Sequence, residues 1–100
     1  MEYKKIENLV YKNSLIKREN YKTKKEYDLK LDSLLIENLN RCIEKKVPLD
    51  MNEEDVTKIY KIYLRVNKNN HSVGIDFIKN LVDLSEKKLD FYEIVNNITE

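Results

Sequence analysis

Apolar side chains recur at three- and four-residue spacing along most of the chain, and the longest such run predicts a central helix over residues 23–46. One face of this helix carries Leu31, Leu34, Leu35, Asn38, Leu39 and Cys42. A second apolar stripe lies about 100–140° further around the helix and consists of Leu29, Ile36 and Ile43. Because no single neighbour can cover so wide an apolar arc, we expect this helix to lie at the centre of a small bundle or of a helical oligomer.

Local signals mark both ends of the central helix. Thr23 and Glu26 have the spacing of a capping box, in which each side chain accepts a hydrogen bond from the backbone N–H of the other residue. At the other end, Lys45 and Lys46 complement the negative end of the helix dipole, and Pro48 cannot continue the helix. We therefore predict a helix that begins near Thr23 and ends near Lys46.

Two shorter helices are predicted on either side of the central one. Residues 2–12 place their apolar side chains on one face and form a short amphipathic helix. Asn52 is a favourable N-cap for a helix over residues 53–66, whose first turn is acidic. Met51 and Val56, which flank this start, have the spacing of a hydrophobic staple.

The C-terminal third of the chain predicts two more helices. Ser72 follows a polar loop and is the predicted N-cap of a helix that extends to about Lys88. Asp90 is the predicted N-cap of a last, short helix.

The backbone path of residues 12–22 has two alternatives. Leu15 and Ile16 do not continue the apolar stripe of the first helix, so the pattern changes phase near residue 13. Either Asn13 and Ser14 cap a new turn, or the first helix continues to about residue 19 with a different packing face.

The composition supports an all-α fold. One Gly and one Pro among 100 residues leave few tight turns, which argues against an all-β fold. We predict a single helical domain over residues 1–100, a small four- to five-helix bundle around the central helix. The sequence has neither a signal peptide pattern nor an apolar run of membrane-spanning length, so we expect a cytoplasmic protein. The absence of Ala, Gln and Trp beside abundant Lys, Asn and Ile indicates AT-rich coding, as in a low-G+C bacterium, its phages or a mobile element.

The sequence offers little for catalysis, metal binding or a cofactor. His71 is the single histidine, and it lies in a polar loop without Cys–His or Ser–His–Asp spacing around it. Cys42 is the single cysteine and lies on the apolar face, where we expect it to pack as a small hydrophobe. Metal-ligand spacings and glycine-rich phosphate loops are missing from the sequence. We therefore expect a non-enzymatic protein that uses neither a cofactor nor a metal.

Two basic features are candidate contact surfaces. The segment 12–25 carries six Lys or Arg against one Glu, and its candidate contact residues are Lys17, Arg18, Tyr21, Lys22, Lys24 and Lys25. The second feature is a stripe on helix 53–66, formed by Lys58, Lys61 and Arg65, with Lys68 in line if the helix extends. Cations beside tyrosine rings are typical of nucleic-acid contacts. A lysine-rich face is equally typical of an exposed helix that is simply solvated.

Tyrosine dominates the aromatic residues, with seven Tyr against two Phe and no Trp. Because Tyr is enriched in protein interfaces, this content and the wide apolar arcs favour a non-enzymatic helical module that binds another protein, such as a small regulator or a stoichiometric inhibitor. Leu29, Ile36 and Ile43 are the candidate self-association residues of a homodimer. The alternative is a nucleic-acid-binding regulator that uses the segment 12–25 and the Lys58–Lys68 face. The formal net charge of +1 gives no overall field that would select nucleic acid or a membrane.

Overall fold

The computed structural model describes residues 1–99, and within them it has five α-helices, so the predicted all-α fold is confirmed. The helices are α1 (Tyr3–Tyr11), α2 (Lys24–Lys45), α3 (Glu53–Val66), α4 (His71–Leu84) and α5 (Phe91–Thr99). A short 3-10 turn, Arg18–Asn20, lies in the connection between α1 and α2. The helices form a small bundle around the predicted long helix.

The central helix α2 begins and ends where the sequence predicts. Thr23 Oγ1 accepts a hydrogen bond from the backbone N–H of Glu26 at 3.1 Å, which forms the N-cap. At the other end Lys46 adopts a left-handed conformation with φ 55°. The Val47 N–H then reaches back to the Cys42 carbonyl at 2.9 Å, the bond that closes a Schellman motif.

Neighbouring helices cover the wide apolar arc of α2 from two sides. On one side Ile6 of α1 shares a cleft with Cys42 of α2, and on the other Tyr63 of α3 shares a cleft with Ile36. Helix α4 also packs against α2. Most of the arc is therefore internal to the chain, whereas Leu29 near its N-terminal end is 43% exposed.

Helix α3 starts with a complete capping box. Asn52 Oδ1 accepts from the Asp55 backbone N–H at 2.8 Å, and Asp55 Oδ2 accepts from the Asn52 backbone N–H at 3.1 Å. Met51 and Val56, the predicted staple pair, are both buried in the core. Local sequence therefore determines where this helix begins.

Helix α4 begins earlier than the sequence predicts. Its N-cap is Asn70, whose Oδ1 accepts from the Val73 backbone N–H at 3.3 Å, so the prediction of Ser72 as N-cap is wrong. The preceding residues Lys68 and Asn69 are both left-handed, with φ of 52° and 61°, and they complete the turn within two residues. The chain is therefore ready to start a helix at His71, and Ser72 becomes its second residue.

Helix α4 also ends earlier, at Leu84 rather than near Lys88. Ser85 adopts an extended conformation and forms an isolated parallel bridge with Leu49. In this bridge the Leu49 N–H donates to the Leu84 carbonyl at 3.1 Å, and the Glu86 N–H donates to the Leu49 carbonyl at 2.8 Å. Backbone hydrogen bonds to a distant segment therefore replace the last predicted turn of the helix. Beyond them, Asp90 caps α5 as predicted, because its Oδ1 accepts from the Glu93 N–H at 3.1 Å.

Residues 12–22 form a connection outside the α-helices, so the extension of the first helix to residue 19 does not occur. Ser14 Oγ accepts from the Ile16 backbone N–H at 3.1 Å, which makes a local turn after α1. Further along, the Tyr27 hydroxyl donates to the Ile16 carbonyl at 3.4 Å and ties the connection to the first turn of α2.

Candidate functional site

A buried carboxylate joins three helices. Asp32 of α2 is only 7% exposed and is the one charged side chain in the buried set of the described residues. Its Oδ1 accepts from the Tyr11 hydroxyl of α1 at 2.7 Å, and its Oδ2 accepts from Arg65 Nε of α3 at 3.1 Å. Burial raises the pKa of Tyr11 well above its ordinary range, and the hydrogen bond to Asp32 raises it further. Tyr11 therefore stays protonated and continues to donate.

An open cleft of about 800 Å³ lies beside this carboxylate. We call it the basic cleft; it is lined by Tyr11, Lys24, Lys25, Asp28, Leu29, Asp32, Leu64, Arg65, Lys68 and Asn69. Four of these side chains are cations and two are carboxylates, one of which is already paired with Arg65. The lining therefore combines an excess of positive charge with aliphatic surface.

Arg65 is held at one edge of its guanidinium group. Its Nε donates to Asp32, and this is its one hydrogen bond to the part of the chain that the structure describes. The side chain is 57% exposed. An Arg side chain carries five N–H donors in a planar fork. Since Asp32 takes only the Nε donor, the N–H groups of both η nitrogens remain available to a ligand in the basic cleft.

Lys68 reaches the basic cleft from a turn rather than from a helix. The sequence places it in line with the stripe only if the helix extends, but α3 ends at Val66 and Lys68 adopts the left-handed conformation. The Asn69 backbone N–H then donates to the Leu64 carbonyl at 2.9 Å, which is the long bond of a Schellman motif. Helices that end with a left-handed residue usually place Gly there, so a lysine at this position is strained.

The structure brings some residues of each predicted basic feature into the same cleft. Five of the candidate contact and self-association residues line the basic cleft: Lys24, Lys25, Arg65, Lys68 and Leu29. Lys24 and Lys25 belong to the segment 12–25, and Arg65 and Lys68 to the stripe after residue 53. Surfaces that are about forty positions apart in sequence therefore form one cationic site.

The other candidate contact residues lie elsewhere. Lys58 Nζ pairs with the Glu7 carboxylate of α1 at 3.2 Å, so its charge is partly neutralised. Lys61 is exposed and does not line the basic cleft. Lys17, Arg18 and Lys22 are exposed in the connection before α2.

Tyr21 contacts another tyrosine rather than the basic cleft. Its ring lies against that of Tyr27, with centroids 5.7 Å apart, and both side chains are partly buried. Neither ring lines the basic cleft. These two tyrosines, which alternate with the lysines in sequence, are therefore outside the cleft where the cations meet, whereas Tyr11 lines it.

The candidate self-association residues separate into three environments. Ile36 is 5% exposed and belongs to the core. Ile43 is half-buried in a cleft with Pro48 and Leu84. Leu29, with nearly half of its surface exposed, is the member of this stripe that stays accessible to another molecule.

Asp32 is the residue that the sequence prediction missed. A helical step of about 100° per residue places it between the main apolar face and the stripe of Leu29, Ile36 and Ile43. An acid within such an apolar arc is a signal for a buried, paired carboxylate. Its partners, however, are 21 and 33 positions away.

His71 and Cys42 lie outside the basic cleft. The His71 Nδ1 and the Tyr60 hydroxyl are 2.7 Å apart at the start of α4. Cys42 is buried, and burial raises the pKa of its thiol, which disfavours the nucleophilic thiolate. Residues 1–99 contain no cluster of three or more His, Cys, Asp or Glu side chains that could hold a metal ion.

Among the described helices, none has the length and apolar character needed to cross a membrane. No family model, no curated protein and no solved structure matches the chain. The local geometry and charge of the site are therefore the basis for a functional proposal.

Proposed function

We propose that this protein is a non-enzymatic module that binds another protein through the basic cleft. The observation that supports this proposal is the convergence of Lys24, Lys25, Arg65 and Lys68 beside an exposed leucine, Leu29. Protein interfaces combine an apolar centre with a polar rim, and Arg is enriched in them. In the cell, such a module would act as a small regulator or a stoichiometric inhibitor of its partner.

The lining chemistry favours binding over catalysis. The titratable groups of the basic cleft are two carboxylates, four cations and Tyr11. One carboxylate, Asp32, already accepts hydrogen bonds from Tyr11 and Arg65. The Tyr11 hydroxyl beside Asp32 is a poor nucleophile, because burial and this hydrogen bond raise its pKa and disfavour the phenolate. The set therefore offers complementary charge to a ligand.

A nucleic-acid-binding regulator is the second candidate. The exposed cations Lys17, Arg18 and Lys22 precede Lys24 and Lys25 in the chain, so the segment that leads into this part of the cleft lining is basic. Such a surface would bind with an affinity that falls steeply with salt. The mutual contact of Tyr21 and Tyr27 and the presence of Asp28 in the cleft make this candidate weaker.

Site-specific photo-crosslinking distinguishes the two candidates. A photoreactive amino acid is placed at position 68, in the basic cleft, and in a control protein at position 79, an exposed lysine of α4 outside it. We expect position 68 to yield a discrete protein adduct in a lysate of the natural host, and position 79 to yield none.

The adduct must be sensitive to protease, resistant to nuclease and reduced by the Lys24→Glu substitution. Nuclease-sensitive adducts alone would support the second candidate instead. Identical adducts from positions 68 and 79 would contradict the proposed site.

A further inference from the structure

We propose that the basic cleft recognises an acidic segment of the partner, in which an Asp or Glu carboxylate binds the η nitrogens of Arg65. A neighbouring aliphatic side chain of the same segment packs against Leu29 and Leu64. This inference rests on the proposed protein-binding function and specifies the chemistry of the partner.

Arg65 is prepared for a carboxylate before the partner arrives. Asp32 holds Nε at 3.1 Å and is itself fixed by the Tyr11 hydroxyl at 2.7 Å. The planar fork of a guanidinium group matches a carboxylate with two parallel N–H···O bonds. Because the fork is already oriented, less side-chain entropy is lost on binding.

Tyr11 is a positioning residue in this arrangement. Its hydroxyl occupies Oδ1 of Asp32, which leaves Oδ2 for Arg65. Since its pKa is raised above the ordinary range, Tyr11 remains a donor at every physiological pH. It therefore holds the Asp32 carboxylate, and through it the guanidinium, in one orientation.

Three lysines extend the positive surface around Arg65. Lys24 and Lys25 border the basic cleft in the first turn of α2, and Lys68 borders it after α3. None of them pairs with a carboxylate in residues 1–99. Asp28 is the one lining carboxylate without an ion-pair partner there, so positive charge dominates what a ligand meets. A segment with several acids is the complementary charge.

The aliphatic wall makes a protein segment a better occupant than a nucleic-acid backbone. Leu29 is 43% exposed, and Leu64 lines the same cleft. Burying these leucines is favourable only against apolar groups, which an aliphatic side chain supplies and a phosphate chain does not. The paired rings of Tyr21 and Tyr27, which could stack on single-stranded bases, lie outside the basic cleft. Tyr11 is the one aromatic residue in its lining, and the hydroxyl of Tyr11 is bound to Asp32.

Fluorescence anisotropy with a labelled peptide of alternating glutamate and leucine tests the inference. Two matched peptides replace either glutamate by glutamine or leucine by serine, and a labelled single-stranded oligonucleotide serves as the nucleic-acid probe. We expect the glutamate–leucine peptide to bind more tightly than each of the other three probes. Affinity should fall as salt is raised, because charges form the rim of the site.

Protein variants locate the binding on the cleft. Arg65→Lys keeps the charge but loses the planar fork, and we expect it to weaken peptide binding by about tenfold or more. Lys68→Glu should weaken it by a similar factor, whereas Lys79→Glu, outside the basic cleft, should leave it unchanged. Circular dichroism and thermal unfolding of each variant show that it is folded.

Tyr11→Phe tests the positioning role. We expect Tyr11→Phe to lower the affinity for the glutamate–leucine peptide more than the affinity for the glutamine–leucine peptide. Only the glutamate peptide binds the oriented guanidinium group through a carboxylate. An equal loss for both peptides would contradict that role.

The outcomes separate this inference from the proposed function. If the peptide fails to bind while position 68 still crosslinks to a partner protein, carboxylate recognition is wrong and protein binding stands. If the oligonucleotide binds more tightly than the peptide, both proposals are overturned. Equal binding of the glutamate and glutamine peptides would also reject recognition of acidic groups. Concentration-dependent self-association that is abolished by Lys68→Glu would instead identify a second copy of the chain as the occupant.

Discussion

Gly74 of α4 lies against the ring of Tyr60 on α3, so closely that a Cβ atom at position 74 would be 2.9 Å from Tyr60 Cε2. The ring has little room to withdraw, because Tyr60 is 2% exposed and its hydroxyl is 2.7 Å from His71 Nδ1. The single glycine of the chain therefore sets the distance between these two helices.

The first prediction concerns this contact. Alanine in place of glycine usually stabilises a helix interior by about 1 kcal/mol, but here the methyl group must displace a buried ring. We expect Gly74→Ala to lower the free energy of unfolding by up to about 2 kcal/mol net, since overpacking costs about 1–3 kcal/mol and the helix preference of Ala offsets about 1 kcal/mol of it. Urea denaturation measures the difference, and Ser72→Ala, in the same turn of α4 and exposed, is the control. A rise in stability for Gly74→Ala would show that Tyr60 moves aside freely.

The second prediction compares two buried hydroxyl groups. Tyr3 Oη is buried without a hydrogen-bond partner among the described residues, whereas the Tyr11 hydroxyl donates to Asp32. We expect Tyr3→Phe to be neutral or slightly stabilising. Tyr11→Phe should lower the free energy of unfolding by about 1.5–3 kcal/mol, because it removes a hydrogen bond to a charged group. Chemical denaturation of both variants tests the contrast, and equal losses would contradict it.

The third prediction concerns alkaline pH. Burial raises the pKa of Tyr3 and Tyr11 well above the value in an unfolded chain, with nearby carboxylates raising both further. The folded state therefore holds these protons more tightly than the unfolded state does. The resulting stability is complete below the unfolded pKa of about 10 and decreases as the pH rises above it.

Denaturation in a series of buffers from neutral to alkaline pH measures this effect. Relative to the double variant with Tyr3→Phe and Tyr11→Phe, the wild-type protein should lose stability more steeply above a pH of about 10. Lysine deprotonation is common to both proteins, so the difference between their slopes isolates the two tyrosines. Parallel curves over the whole range would contradict the expectation.

The fourth prediction separates Ile36 from Leu29. Ile36 is buried between α2 and α3, so Ile36→Ala should lower the free energy of unfolding by about 2–5 kcal/mol. Leu29→Ala should cost less than about 1 kcal/mol, because the side chain remains nearly half exposed. Thermal unfolding distinguishes these values. The reverse order would mean that an oligomer covers Leu29, and Leu29→Asp would then lower the mass measured by sedimentation.

Local signals explain how much of the fold the sequence predicts. Three helices have the N-cap that the sequence predicts, namely Thr23, Asn52 and Asp90. These caps can be predicted from local sequence because an N-cap bond joins residues only three positions apart. The sequence predicts the start of α4 two residues too late. Asn70 and Ser72 are both favourable caps, and the left-handed turn before Asn70 decides between them.

Long-range contacts explain what the sequence predicts wrongly or does not predict at all. The end of α4 depends on backbone hydrogen bonds to Leu49, and these leave no trace in the local pattern. The basic cleft likewise depends on Asp32, whose partners come from two other helices. The sequence predicts which residues are cationic, but only the packing of α2 against α3 shows that four of them meet.

Lys68 faces opposite demands from the fold and from the proposed partner. Lys68 is in the left-handed conformation, so a glycine at position 68 would relieve strain of about 1–2 kcal/mol. The same substitution would also remove a cation from the basic cleft. Lys46 has a similar left-handed backbone, with φ 55°, but it does not line the basic cleft. A glycine at position 46 would therefore relieve strain without removing a cation from the proposed site. A selection for heat resistance should therefore accept glycine at both positions, whereas a selection for partner binding should accept it at position 46 and reject it at position 68.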